Sequence, residues 1–203
     1  MAELKLNKPY EIVLSGVGGQ GVLTMTDILC ETALVSGFRV RGSETHGMAQ
    51  RGGSIVTHVR IARGASEVFA PLIRDRSADV LVATEPAEAL RQARFVSPQG
   101  IIVTNLRGVP PPSMTHSREK YPKKEDLIAA LQEFSPKVVA IDGTGMAEFA
   151  GSPASLNVVM LGALCKVEGF PMSPDTVITR IHSRFIERFK EVNQRAFDAG
   201  YSA

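Results

Sequence analysis

The strongest constraint on this chain is a glycine cluster placed directly behind a short apolar run. Ile12-Val13-Leu14 leads into Gly16-Val17-Gly18-Gly19-Gln20-Gly21, and a helical pattern opens immediately afterwards. A strand that enters glycines and then a helix requires a tight turn, which glycine permits through its backbone freedom. The spacing Gly16-x-Gly18-x-x-Gly21 matches the turn at which α/β folds bring N–H groups and a helix N-terminus to a phosphate. The same spacing also serves plain strand–helix packing, and the residues alone leave both readings open. Gln20 sits where its side chain reaches towards the crevice.

Downstream, Val22, Leu23, Met25, Ile28, Leu29, Ala33 and Leu34 recur at helical spacing between about Gln20 and Ser36, with Gly37 as the stop. Residues 38–43 read as a second strand and 54–61 as a third. Only a loop joins these two, so the third strand is expected to run antiparallel. Ile55, Val59 and Ile61 share its apolar side. His58 and Arg60 point the other way, the pattern of a half-exposed strand with His58 in a structural role. Further strands are predicted at 78–84, 100–105 and 137–142, with one helix from Pro86 and another over 124–134. Residues 106–122, broken by Pro110-Pro111-Pro112, form a long irregular loop of the kind that is functional or unordered. The segment 153–168 is apolar nearly all round, hence a helix buried on several sides. Pro174 starts one final helix whose stripe runs Val177, Ile178, Ile181, Phe185, Ile186, Phe189 and Val192. Strands alternating with helices predict one domain over residues 1–203: a three-layer α/β/α, Rossmann-like fold around a mostly parallel sheet, open to a mixed one.

Composition narrows the function. The formal net charge of the 203 residues is +2, with acids and bases intermixed, which argues against nucleic-acid or membrane-surface binding. No apolar run approaches the roughly 20 residues that span a bilayer. Met1-Ala2-Glu3-Leu4-Lys5 lacks the apolar core of a signal peptide, so a cytoplasmic location is expected. Cys30 and Cys165 lie in apolar segments and read as buried free thiols. Two isolated cysteines cannot hold an iron–sulfur cluster, which takes about four thiolates, nor a structural zinc. No metal site is therefore expected, and any redox metal belongs to another chain.

The second demanding loop is Glu44-Thr45-His46-Gly47-Met48-Ala49-Gln50-Arg51-Gly52-Gly53. His46 is suited to proton exchange near neutral pH. Arg51, between small residues, is suited to clamping a carboxylate or phosphate in bidentate fashion. The plain alternative is a turn whose polar side chains tie down their own backbone. Glu44 ends the second strand where a ribose-binding acid sits in dinucleotide folds. His116 and His182 read as solvated. No catalytic triad, metal-ligand spacing or paired carboxylates can be assigned.

Together, Gly16–Gly21, Ser43–Gly53 and the strand Ser54–Ile61 closely resemble the gamma subunit or domain of the 2-oxoacid:ferredoxin oxidoreductases. Within that family the chain looks most like the small (beta) subunit of indolepyruvate ferredoxin oxidoreductase. The apolar stretch from Asn157 to Leu164 also fits, so the resemblance spans most of the chain. It implies a subunit, inactive alone, that binds no cofactor by itself. Thiamine diphosphate, magnesium and the iron–sulfur clusters would sit on a larger partner subunit, with coenzyme A as co-substrate and ferredoxin served through the complex. The reaction implied is oxidative decarboxylation of an aryl 2-oxoacid to an acyl-CoA. Glu44, His46, Gly47, Met48, Gln50 and Arg51 would then face the partner's cleft, with His46 the one catalytic candidate. Gly16, Gly18, Gly19, Gln20 and Gly21 would form a scaffold or coenzyme-binding turn, and in isolation the chain has the option of a homodimer. Two other readings remain: a stand-alone NAD(P)-type dinucleotide-binding protein using Gly16, Gly18, Gly21 and Glu44, and a purely structural partner.

Overall fold

The computed structural model describes residues 8–46, 52–62, 68–111, 114 and 120–203, the side chain of His46 excepted. Among them run six strands in one sheet, β1 (Tyr10–Val17), β2 (Arg39–His46), β3 (Ser54–Ala62), β4 (Ala78–Ala83), β5 (Val96–Asn105) and β6 (Lys137–Ile141). Their order across the sheet is β2-β3-β1-β4-β5-β6. β1, β4, β5 and β6 pair in parallel, whereas β3 is antiparallel to both β1 and β2. Five strands therefore point the same way and β3 alone is reversed, as the helix-free connection from β2 requires.

The helices are α1 (Val22–Val35), α2 (Pro86–Gln92), α3 (Lys124–Gln132), α4 (Gly143–Ala150), α5 (Leu156–Lys166), α6 (Pro174–Arg184) and α7 (Lys190–Ser202). Alternate side chains of the central strands enter two separate cores. Ile12, Leu14, Val80, Val82 and Val103 pack against α1, α5, α6 and α7. Val13, Leu81, Ala83 and Ile102 pack against α2 and Leu131 of α3. This is the three-layer α/β/α arrangement, with a mixed sheet.

Each expectation about α1, α2, α3 and the strands falls within a few residues of the structure, except that β5 begins earlier, at Val96. α1 stops where Gly37 adopts φ +78° and Phe38 N–H donates back to Ala33 O. α5 is apolar all round because it is enclosed on all sides; every residue from Leu156 to Cys165 is buried.

Two expectations about the strands and helices are corrected. The single final helix is two, α6 and α7, separated by extended backbone at Phe185 and Ile186 and a short 3-10 turn at Glu187–Phe189. The break lets α6 lie on α1 while α7 lies on α5, and it leaves Ile186 exposed rather than on the apolar stripe. Secondly, His58 itself is buried, while Ser54, Val56 and Arg60 on the same face of β3 are half-buried. Arg60 is paired with Glu11 at 2.7 Å, and His58 packs edge-on against Phe95 with centroids 4.9 Å apart.

His58 accepts a bond from Ile73 N–H at its Nδ1, 3.4 Å away, so the ring is held neutral. Burial lowers its pKa, and the Arg94 charge lowers it further. The unfolded ring takes up a proton near pH 6.5, before the folded one does. Stability is therefore expected to fall as pH drops below about 6.5 towards the folded pKa, by at most about 1.4 kcal/mol per pH unit for this group. Urea midpoints measured from pH 7.5 to 5.5 check this; His58→Gln should flatten that slope.

His182 is half-buried rather than solvated, with its Nε2 enclosed and without a hydrogen-bond partner. His116 lies outside the described residues. Cys165 is buried and Cys30 half-buried. Burial pushes the Cys165 thiol up to about 12; burial and then Asp27, Glu31 and Glu44 push Cys30 up to about 11. Both thiols stay protonated near neutral pH, which makes them poor nucleophiles.

Candidate functional site

In a wound α/β sheet, ligands gather at the carboxyl ends of the strands, where neighbouring connections leave on opposite faces. Here that point lies between β1, which feeds α1 on one face, and β4, which feeds α2 on the other. The Gly16–Gly21 turn occupies this position. Gly16 is the close approach: a Cβ there would lie 1.9 Å from Thr84 Oγ1. Gly21 caps α1 at φ +81°, and a Cβ there would lie 2.6 Å from Asn157 Nδ2. Both positions therefore demand glycine for reasons internal to the fold.

The turn's donors are largely committed within the protein. Val17 N–H donates to Gln20 Oε1 at 2.9 Å, Gly18 N–H to Gly53 O at 2.8 Å, and Gln20 N–H to Val17 O at 3.1 Å. The Gln20 amide also accepts from Thr84 Oγ1 at 2.8 Å and donates to Thr84 O at 3.3 Å. Gln20 thus folds back as a strut between β1 and β4 while still forming one wall of the crevice.

The two glycine-rich loops meet. Gly52 N–H donates to Gly18 O at 3.2 Å, reciprocating the bond from Gly18 to Gly53. The side chain of His46, and residues Gly47, Met48, Gln50 and Arg51, lie outside the described residues. Glu44 is described: it stands exposed on β2, the sheet edge. β3 separates β2 from β1, so two inter-strand spacings of about 4.8 Å put Glu44 roughly 10 Å from the glycine turn. In dinucleotide folds the ribose-binding acid ends the strand next to the glycine turn, and here β3 takes that place.

The sequence reading overlooked the segment that fastens these loops, Thr84-Glu85-Pro86-Ala87-Glu88. Glu85 is 1% exposed and caps α2 by accepting from Glu88 N–H at 2.7 Å. Its other oxygen accepts from Val109 N–H at 3.2 Å and from the Tyr121 hydroxyl. Those donors flank the proline-rich loop on both sides, so one carboxylate closes its base. Burial, then the bond to Glu85, pushes the Tyr121 phenol far above its usual range, so it remains a donor. Glu88 accepts from Ser54 Oγ at 2.5 Å and fastens the start of β3. Asn105, fully buried, donates to Thr84 O and Thr144 Oγ1, each at 3.0 Å. The available signal was an acid just before Pro86 with another three residues on, the signature of a capped helix start.

Between these anchors lies a cavity of about 190 Å³ walled by Gly19, Gln20, Arg107, Thr144, Ala154 and Leu156, among others. Arg107 is held over it by a two-point pair with Glu148, at 2.5 and 3.2 Å. Among the described residues, no three His, Cys, Asp or Glu side chains are grouped to hold a metal ion. Among the same residues, no helix is long and apolar enough to cross a membrane.

Residues 11–203 match the family described as pyruvate ferredoxin/flavodoxin oxidoreductase. The chain belongs to this family. It is 40% identical over 191 residues to the indolepyruvate oxidoreductase subunit IorB of Archaeoglobus fulgidus, covering 94% of this chain and 93% of that one. The fold resembles the PORC subunit of Thermotoga maritima pyruvate oxidoreductase, with TM-score 0.69, 23% identity, and 97% of both chains covered. It also resembles part of Magnetococcus marinus 2-oxoglutarate:ferredoxin oxidoreductase, with TM-score 0.71 and 20% identity over 97% of this chain and 31% of that longer one. As an oxidoreductase-family chain it fits the subunit reading, and the NAD(P)-binding alternative draws no support from these relatives.

Proposed function

We propose that this chain is the small subunit of a thiamine-diphosphate-dependent indolepyruvate (aryl 2-oxoacid):ferredoxin oxidoreductase. The observation that carries the reading is end-to-end similarity, at 40% identity, to an indolepyruvate oxidoreductase subunit. The chemistry of the chain agrees with it. Its two thiols sit on different helices, and an iron–sulfur cluster takes about four thiolates. Thiamine diphosphate, magnesium and the iron–sulfur clusters are assigned to the larger subunit, and coenzyme A enters as co-substrate.

Within the complex this chain contributes shape and charge. Glu44, His46, Gly47, Met48, Gln50 and Arg51 are proposed to face the partner's cleft from the end of β2 and the stretch that follows it. Gly16, Gly18 and Gly21 serve mainly as the scaffold for that loop. Gly19 and Gln20, which line the cavity, are the part of the turn left to meet a coenzyme.

The purified chain is expected to show no indolepyruvate-dependent reduction of ferredoxin, and no visible iron–sulfur absorbance. Adding the larger subunit should restore coenzyme-A-dependent turnover. Unaided turnover or a brown colour in the lone chain defeats the assignment. In the assembled enzyme, Arg51→Ala is expected to lower kcat/KM for coenzyme A about tenfold or more, the scale of a lost charge-assisted contact. The thermal midpoint of the chain should be unchanged; unaltered kinetics in an intact complex would place the loop away from the cleft.

A further inference from the structure

β2 is an edge strand eight residues long that carries no proline. Its outer edge forms no ladder among the described residues. Long open edges are templates for another strand, and proteins generally shorten or cover them unless a partner uses them.

The charges on this edge are ordered across the sheet. Glu11 on β1 is in register with Arg60 on β3, and Arg60 in turn with Arg41 on β2. Residues in register share a face. Glu11 and Arg60 neutralise one another, with Nε to Oε1 at 2.8 Å, and Arg60 also donates to Ala70 O at 2.6 Å. Arg41 is left beside a like charge. Arg39, two residues away on the same side, is likewise without an ion-pair partner among the described residues. The series across the sheet therefore ends on unmatched positive charge at its margin.

Alongside the same edge runs a groove of 440 Å³ whose apolar walls are Leu34, Phe38, Val40, Val68 and Phe69. Leu34 is 60% and Phe69 81% exposed, large values for such side chains on a folded surface.

We propose that β2 is an assembly edge: it accepts an extended segment of the larger subunit as a seventh strand, with a carboxylate in register with Arg41. An added strand places its side chains about 4.5–5.5 Å from those of β2, which continues the Glu11–Arg60–Arg41 series with a negative charge. Apolar residues near that carboxylate fill the groove at Leu34 and Phe69. β2 runs directly into the Glu44–Gly53 loop, so the same contact fixes where that loop is presented. The inference rests on the proposed subunit role.

The test uses the complete chain and the larger subunit. Dissociation constants are measured for wild type, Arg39→Glu/Arg41→Glu, Phe69→Ser, and Lys137→Glu on the opposite edge strand. Hydrogen exchange is followed over residues 38–46, free and bound. The double charge reversal and Phe69→Ser should each weaken assembly about tenfold or more at an unchanged thermal midpoint, while Lys137→Glu binds normally. The β2 amides that exchange in the free chain should become protected in the complex. Binding of the charge-reversed variant within about twofold of wild type, or equal exchange of β2 in both states, overturns the proposal. So does self-association of the lone chain with β2 protected, which makes a second copy the occupant. If the wild-type chain binds no thiamine-dependent subunit, the functional reading fails first. If the complex forms and turns over with β2 unprotected, only the strand addition fails.

Discussion

Gly200→Val is expected to lower the thermal midpoint of this chain by roughly 10 °C. A Cβ at position 200 would lie 1.9 Å from Val159 O, and one at Gly162 would lie 2.2 Å from Phe197 O. The two glycines face each other across α5 and α7, so these helices meet backbone to backbone. A side chain cannot be absorbed by rotamer change, because the obstacle in each case is a carbonyl oxygen. Overpacking usually costs about 1–3 kcal/mol, and a forced separation of two helices belongs at or above the top of that range. For a chain of this size, about 2–4 °C accompanies each kcal/mol. Asp198→Val, exposed on the same helix, is the control and should cost about 1 kcal/mol or less, through helix propensity and the loss of its surface hydrogen bond from Gln194. Equal midpoints for the two variants would mean that α7 shifts freely on α5.

Glu85→Ala is expected to cost about 3 kcal/mol and to release the base of the proline-rich loop. The substitution orphans three donors at once: Glu88 N–H, Val109 N–H and the Tyr121 hydroxyl. A buried donor without an acceptor loses roughly 1–3 kcal/mol, partly recovered when water enters. Tyr121→Phe removes one of the three bonds and should cost about 1–1.5 kcal/mol. Because the two residues share an interaction, the double variant should fall short of the sum, which a mutant cycle measures directly. Hydrogen exchange at Val109 should rise in Glu85→Ala and hold steady in an exposed variant such as Glu125→Ala. A simple sum in the cycle would mean that Glu85 and Tyr121 act independently.

The central strands and α5 were legible because burial leaves an unambiguous mark: continuous apolar runs for strands enclosed on two faces, and an apolar helix with no polar side. The reversal of β3 was legible for a topological reason, since no helix separates it from β2. The split between α6 and α7 was not, because Phe185, Ile186 and Phe189 continue the helical period through a segment containing neither glycine nor proline. Periodicity records which side chains are apolar, and says little about where two helices must turn to reach different neighbours. His58 and Arg60 misled for a related reason: polar residues suggest solvent unless the groups that cover them, here Phe95 and Glu11, are known.

At the candidate site, the glycine turn was conspicuous but its purpose was not. Gly16 and Gly21 are explained by Thr84 and Asn157, residues 68 and 136 positions further along the chain. Contacts at such separations leave no local pattern. Thr84, Glu85, Glu88 and Asn105 were overlooked because, taken singly, each reads as an ordinary polar residue at the end of a strand or the start of a helix.

The segment Thr84–Glu88 has a consequence for anyone sorting variants of this chain by activity. Glu85 and Glu88 are buried acids just past the carboxyl end of β4, the profile by which general acids and bases are usually picked out. Their substitution should abolish turnover of the complex as thoroughly as the loss of a true proton donor. Yet the hydrogen-bonding capacity that matters is already engaged by Ser54, Val109, Tyr121 and the first turn of α2. A loss-of-function screen would rank these carboxylates as chemistry, whereas they are joinery: three loops that reach the site from distant parts of the chain are all fastened to one five-residue segment.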